Sequence, residues 1–292
     1  MFTISRWVGT RPVGSRGVGS GGAGAIAGHA TLALVGAAVA IPYAWMVLLS
    51  FKPTAELFSP ATWFNLSNLT LEGYRQVFER APFGRWALNS LVVASTLAAG
   101  QVLISLLAAY AFARFEFRGR EACFWLVLLT MMVPPQTLMV PSYVIVHQLG
   151  WVNTFSGLVI PHLAWGFGIF MLRQFFLGVP RELTDAAALD GCGSLRTLWH
   201  VHVPLARSAL AALTIIALVT GWNEYYWPLI VVNSEEMRTL PIGIPRFTGA
   251  DLDVQWQATM AAATMATLPV LALYIVAQKQ FREGISRTGL KG

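Results

Sequence analysis

Long apolar runs alternate with short polar stretches along almost the whole chain, and the runs are longer than a soluble core needs. Six of them, at about 27–51, 87–113, 121–146, 152–177, 206–232 and 257–279, match the ~20 residues that a helix requires to cross a bilayer. Residues 1–26 are rich in Gly, Ser and Arg and predict a flexible tail ahead of the first run. The glycines there do not form a phosphate loop, because no strand precedes them and no Gly-Lys-Ser/Thr follows. A second tail is expected at 280–292. No internal repeat and no second domain shows in the pattern, so 27–279 reads as one all-α transmembrane domain of about six helices.

Several of these runs are not simple rods. Pro134, Pro135 and Pro141 interrupt the third, and the carbonyls they free need protein or water as partners. Gly157, Gly166 and Gly168 in the fourth permit close packing or local unwinding. Such breaks fit a bundle that encloses a pathway; kinks that only improve packing are the structural alternative.

Between the fourth and fifth runs lies a polar, alanine-rich interruption at about 179–205. Pro180 and Asp185 suit the start of a short helix, where a missing N–H costs nothing and a carboxylate complements the positive helix end. Gly191 offers a left-handed turn free of a Cβ clash. A second short helix is expected from about Ser194 to Val201, with a break near Pro204. The pattern predicts a helix–turn–helix knuckle at the membrane surface, with small alanines that let a partner's backbone approach.

Composition supports the membrane reading. The chain is 55% hydrophobic and 12% charged, about half the charge of a soluble domain. A net charge of +6 alone would suit nucleic acid, but the charges are sparse, sit between apolar runs and form no basic stripe with interleaved aromatics. With both termini inside, the segments on the inner side hold fourteen of the 20 basic residues, which puts the knuckle in the cytoplasm. The opposite loops, about 52–86 and 233–255, carry Glu56, Glu72, Glu79, Glu235, Glu236, Asp251 and Asp253 and face solvent or a soluble partner. Arg6, Arg11 and Arg16 precede the first run, and Ala38-Val39-Ala40 imitates a cleavage site, but the run continues to about Phe51 and reads as an uncleaved first helix. Cys123 and Cys192 make no metal-type spacing and read as incidental or buried thiols.

Glu224 is the one carboxylate well inside a run, in Thr220-Gly221-Trp222-Asn223-Glu224-Tyr225-Tyr226-Trp227-Pro228. A charge at membrane depth must face protein or water and have a partner. Trp222, Tyr225, Tyr226 and Trp227 bring flat apolar faces with polar tips, a mix able to stack on sugar rings. Trp222, Asn223, Glu224 and Tyr225 are therefore candidate pathway residues; the alternative is that Asn223 and Glu224 satisfy the ends of a helix broken before Pro228. Asn89, with Ser90, opens the second run as a further pathway candidate or a packing residue. His200 and His202, two apart, point to different helix faces and suggest no metal site. No catalytic constellation is visible. None of Lys52, Lys279 and Lys291 sits in a Gly-Lys-Ser/Thr loop, so any ATP would be bound by another subunit.

The knuckle Asp185-Ala186-Ala187-Ala188-Leu189-Asp190-Gly191, ending at Val203-Pro204, resembles the cytoplasmic "EAA" loop of the inner-membrane permease subunits of bacterial ABC importers. Asp185 stands where that family has a glutamate, Cys192 for an alanine and Ser208 for a frequent proline. Ser50-Phe51-Lys52-Pro53, Asn89-Ser90-Leu91, Leu107 to Arg114, Trp222-Asn223-Glu224-Tyr225, Thr239-Leu240-Pro241 and the tail from Gln280 to Gly292 resemble the carbohydrate-uptake branch, and within it the maltose-type second permease. The resemblance implies a type I ABC importer permease fold with a cytoplasmic coupling helix, in the bacterial inner membrane. Its partners would be a second permease, an ATPase dimer that carries ATP and Mg, and an extracytoplasmic solute-binding protein. No cofactor would be bound directly. Asp185, Ala186, Ala187, Asp190 and Gly191 would couple the permease to the ATPase, and a sugar would be the solute. Glycerol phosphate or another polar solute is the alternative within the family. An ATP-independent secondary transporter and a membrane scaffold for a soluble enzyme are the alternatives outside it.

Overall fold

The computed structural model of the chain describes residues 22–57, 67–248 and 255–288. Residues 1–21, the larger part of the expected N-terminal tail, lie outside them, as do Asp251, Asp253 and the last four residues. The chain divides into two units, Met1–Trp45 and Met46–Gly292. In the first, the described part is helix α1, which begins at Gly22 and continues to Phe51 in the second unit.

The second unit is helical throughout its regular structure, with no strand among the described residues. After α1 come α2 (Glu72–Arg80) and α3 (Phe83–Arg114), then α4 (Arg120–Thr130), α5 (Met139–Gln148), α6 (Phe155–Val159) and α7 (Gly166–Leu177). The knuckle comprises α8 (Arg181–Leu189), α9 (Ser194–Thr197), a π-helical turn (Leu198–His202) and α10 (Val203–Leu205). The chain closes with α11 (Arg207–Trp222), α12 (Tyr226–Val231), α13 (Leu240–Gly243) and α14 (Trp256–Thr288).

Ile26–Phe51, Phe83–Arg114 and Trp256–Gln278 are each long and apolar enough to cross a membrane unbroken. The other three expected runs are interrupted. The third turns by 95° between Thr130 and Pro135, where two consecutive prolines withhold the N–H groups that would continue the helix. The fourth bends by 44° between His162 and Gly166. The fifth, expected as one span over 206–232, stops at Trp222 and resumes as α12 after a three-residue break, while the chain turns by 84° between α10 and α11. The count reaches six crossings when each bent pair is one span. The expected tail from 280 is helical as far as Thr288, continuous with α14.

α3 is the axis of the second unit and supplies buried residues to all three apolar clusters. Phe83 and Trp86 pack with Val77 of α2, Leu240 of α13 and Ala258 and Ala261 of α14. Val93 and Leu97 pack with Leu158, Trp227 and Val231. Leu106, Ala109, Tyr110 and Ala113 pack with Leu172 and Phe176 of α7 and Leu213 of α11. Gly168 lets α7 approach α3 closely: a Cβ there would collide with Ser105. Ser50 binds Tyr74 of α2 across 2.8 Å, so the start of the Ser50–Pro53 stretch is held to this unit.

Candidate functional site

The knuckle forms as the local sequence demands. Pro180 takes the N-cap position of α8, and the carboxylate of the first turn is Glu182 rather than the expected Asp185, which lies in the second turn; alanine favours the helix that follows. Gly191 takes φ +75°, the left-handed turn, with nothing within 4 Å of where a Cβ would stand. It therefore answers a backbone need rather than crowding. Asp185, Ala186, Ala188, Leu189 and Asp190 are exposed, while Ala187 is buried against the fold. Leu189 is 90% exposed, a large apolar side chain presented on a polar loop. The expected second helix is present but longer, its middle wound as a π turn, and it passes through Pro204 before the chain turns at Ala206.

Both legs of the knuckle are anchored below their tips. Arg114, the last residue of α3, donates from Nη2 to the Phe176 carbonyl at 2.8 Å and to the Val179 carbonyl at 2.7 Å. The Phe176 carbonyl lies in the last turn of α7, where the final groups of a helix lack intrahelical partners and the dipole favours a cation, and Val179 stands in the short link to α8. On the returning leg His202 is fully buried between Tyr110 and Phe176, at ring separations of 5.0 and 5.4 Å. Neither of its ring nitrogens has a hydrogen-bond partner. Burial pushes this imidazole down to about 4, and the Arg114 charge adds to the effect. His200 is exposed, with Nδ1 3.0 Å from the Arg196 carbonyl. The two histidines thus face different surroundings, and no group able to hold a metal occurs among the described residues. A third arginine contact ties the same region together: Arg173 of α7 bonds Glu121 of α4 at 3.0 Å and lies 3.9 Å over the Phe124 ring. Cys192 is half-buried in the knuckle; Cys123 on α4 is exposed rather than buried.

The second candidate cluster is the α11–α12 break. Asn223 donates from its side chain to the Val219 carbonyl at 2.8 Å and closes the end of α11. Glu224 accepts the Trp227 backbone N–H at 3.2 Å and caps the start of α12. Both residues thus make the helix-end contacts of the structural alternative, yet Asn223 is exposed and Glu224 half-buried. Trp222 donates to the Ala266 carbonyl of α14 at 3.1 Å. Tyr225 is half-buried, edge-on to the exposed Tyr226. Trp227 lies at the heart of the cluster: its indole donates to the Gly157 carbonyl at 2.9 Å and its ring is 5.1 Å from that of His162. Gln101 of α3 donates to the His162 carbonyl at 2.8 Å. His162 is thus brought to the break from more than sixty positions upstream, which no local pattern announces.

Asn89 is not part of this cluster. It is 1% exposed, and its amide donates to the carbonyls of Glu236 at 2.6 Å and Arg238 at 2.8 Å. Trp86 donates to the Glu235 carbonyl and Ser90 accepts the Leu240 N–H, both at 2.8 Å. Asn153, in the left-handed region at φ 60°, accepts from the Asn233 and Ser234 amides and the Ser234 hydroxyl. The 233–240 loop is therefore clasped from two sides.

The family profile described as "Binding-protein-dependent transport system inner membrane component" matches residues 100–287. The sn-glycerol-3-phosphate transport system permease protein of Brucella abortus (strain 2308) is 32% identical over 271 residues, which is 90% of this chain and 96% of that protein. Its counterpart in Yersinia enterocolitica is 33% identical over 80% of this chain and 83% of its own length. Among solved structures, a chain of a bacterial ABC transporter involved in the import of the acidic polysaccharide alginate is similar with TM-score 0.78 at 23% identity, covering 89% of this chain and 98% of its own. A chain from the bacterial alginate ABC transporter in complex with an alginate pentasaccharide-bound periplasmic protein is similar with TM-score 0.59 at 16% identity.

Proposed function

Because the chain belongs to the family of binding-protein-dependent transport system inner membrane components, we propose that it is the permease subunit of an ABC importer whose knuckle docks on an ATPase subunit. The observation that carries this reading is the exposed face of α8. Asp185, Ala186, Asp190 and the bare Leu189 stand outward beside a left-handed Gly191, on a loop both of whose legs are anchored in the bundle. An exposed leucine among small and acidic residues fits a cleft on a soluble partner. Fourteen of the 20 basic residues fall on the knuckle side when both termini are inside, which supports a cytoplasmic knuckle. ATP and Mg belong to the partner. Closure of the ATPase pair moves the knuckles and swings the bundle between inward- and outward-open states, a rigid-body transition between two packings.

The solute is a sugar or a glycerol phosphate. The full-length relatives support the second, and the aromatic, carboxylate-bearing break at Trp222–Tyr225 supports hydroxyl-rich cargo. A second permease and a solute-binding protein complete the assembly. The test is uptake by the complete complex in liposomes across sn-glycerol 3-phosphate and a panel of mono- and oligosaccharides, with and without ATP. Accumulation of one solute class only with ATP is expected. Uptake that ignores ATP, or purification without an ATPase subunit, would overturn the reading.

A further inference from the structure

The stretch Leu107–Arg114 closes α3, and two of its residues lie one helical turn apart on one face, Tyr110 and Arg114. Each grips a different leg of the knuckle. Arg114 holds the descending leg through the carbonyls of Phe176 and Val179 at 2.8 and 2.7 Å, with Val179 immediately before the proline that starts α8. Tyr110 holds the returning leg through His202, ring to ring at 5.0 Å, and touches Phe176 at 6.2 Å. Arg114 also lies within electrostatic reach of Asp185. Charge-assisted bonds from one planar group to two carbonyls fix orientation as well as distance. A buried aromatic contact cannot slip without opening a void.

We propose that α3 is the lever on which the knuckle acts, with Tyr110 and Arg114 as the positioning residues through which both legs move it. This rests on the coupling reading above. α3 then carries the displacement along its 32 residues to the clasped loop at its other end.

The test uses the complete complex in liposomes, with Cys123 and Cys192 replaced by serine and spin labels at Leu91→Cys on α3 and Leu271→Cys on α14, both exposed positions. Trapping with ATP and vanadate is expected to change the distance between labels by about 2 Å or more. Arg114→Ala should abolish most of that change while hydrolysis on the ATPase continues, and Arg114→Lys should restore part of it. A change in Arg114→Ala equal to that of the parent, or none in the parent, overturns the lever. If Arg114→Ala does not assemble, Arg114→Lys and Tyr110→Leu are read instead, and a full change in both overturns it. Gly191→Val separates the two readings. A full change there sinks the coupling role of the knuckle, whereas a change lost in Gly191→Val but kept in Arg114→Ala sinks the lever alone.

Discussion

The two ends of α3 are held by different chemistry. At its start, Trp86, Asn89 and Ser90 use neutral side chains to satisfy the backbone of the 233–240 loop, with Asn153 closing the loop from the far side. At its end, Arg114 uses a charge to hold carbonyls of a helix terminus, and Tyr110 packs on a histidine without hydrogen bonds. The first arrangement fixes a loop that has no regular structure of its own, because its bonds, the one to the Ser234 hydroxyl apart, end on main-chain atoms. The second bonds carbonyls at the end of α7 and in its link to α8 and packs a ring against the returning leg, so its contacts orient the two legs. One end is a clasp and the other a joint.

Breaking the clasp should have the largest effect on stability. Asn89→Leu leaves the Glu236 and Arg238 carbonyls without their shared donor and is expected to cost about 2 kcal/mol. The reading is a lower thermal midpoint of the purified complex with unchanged solute affinity. A changed affinity at an unchanged midpoint would instead make Asn89 a pathway residue.

In the knuckle that the joint holds, Gly191 separates conformation from space. A non-glycine residue at φ +75° costs roughly 1–2 kcal/mol, and a β-branched one is worse placed than asparagine. Since no neighbour would obstruct a side chain, Gly191→Val should abolish ATP-driven uptake while Gly191→Asn retains most of it. Equal loss in both would mean that the partner's surface, not the turn, demands glycine.

The difference between clasp and joint also explains what was legible in the sequence. The six runs and the knuckle follow from local features: apolar length, paired prolines, a helix start at Pro180 and a glycine turn. Asp185 to Gly191 could be named because they are contiguous. The broken fifth run was only partly legible, since Pro228 announces a break but the Asn223 and Glu224 contacts that seat it three to five residues earlier depend on side-chain direction. His162, Tyr110, Arg114 and the clasp on 233–240 join residues separated by 60 to 150 positions, and a single chain shows no periodicity for such pairs. Asn89 illustrates the limit: a polar residue at the start of an apolar run invites a pathway role, and only the folded loop reveals where its donors go.

His202 offers the smallest and most specific test of the joint. It lies in the knuckle, ahead of the apolar run expected from about 206, and burial lowers its titration to about 4 from the ordinary value near 6.5. Between those values the unfolded chain binds a proton that the folded one refuses, so stability rises with pH across this window and falls as pH drops from about 6.5 toward 4. His202→Phe keeps a ring between Tyr110 and Phe176 and removes the titration. Its thermal midpoint should therefore fall less than that of the parent on acidification, with the gap between them opening below about pH 6.5. Parallel curves for the two proteins would mean that His202 gains a proton in place, and that the joint yields to a charge it was expected to exclude.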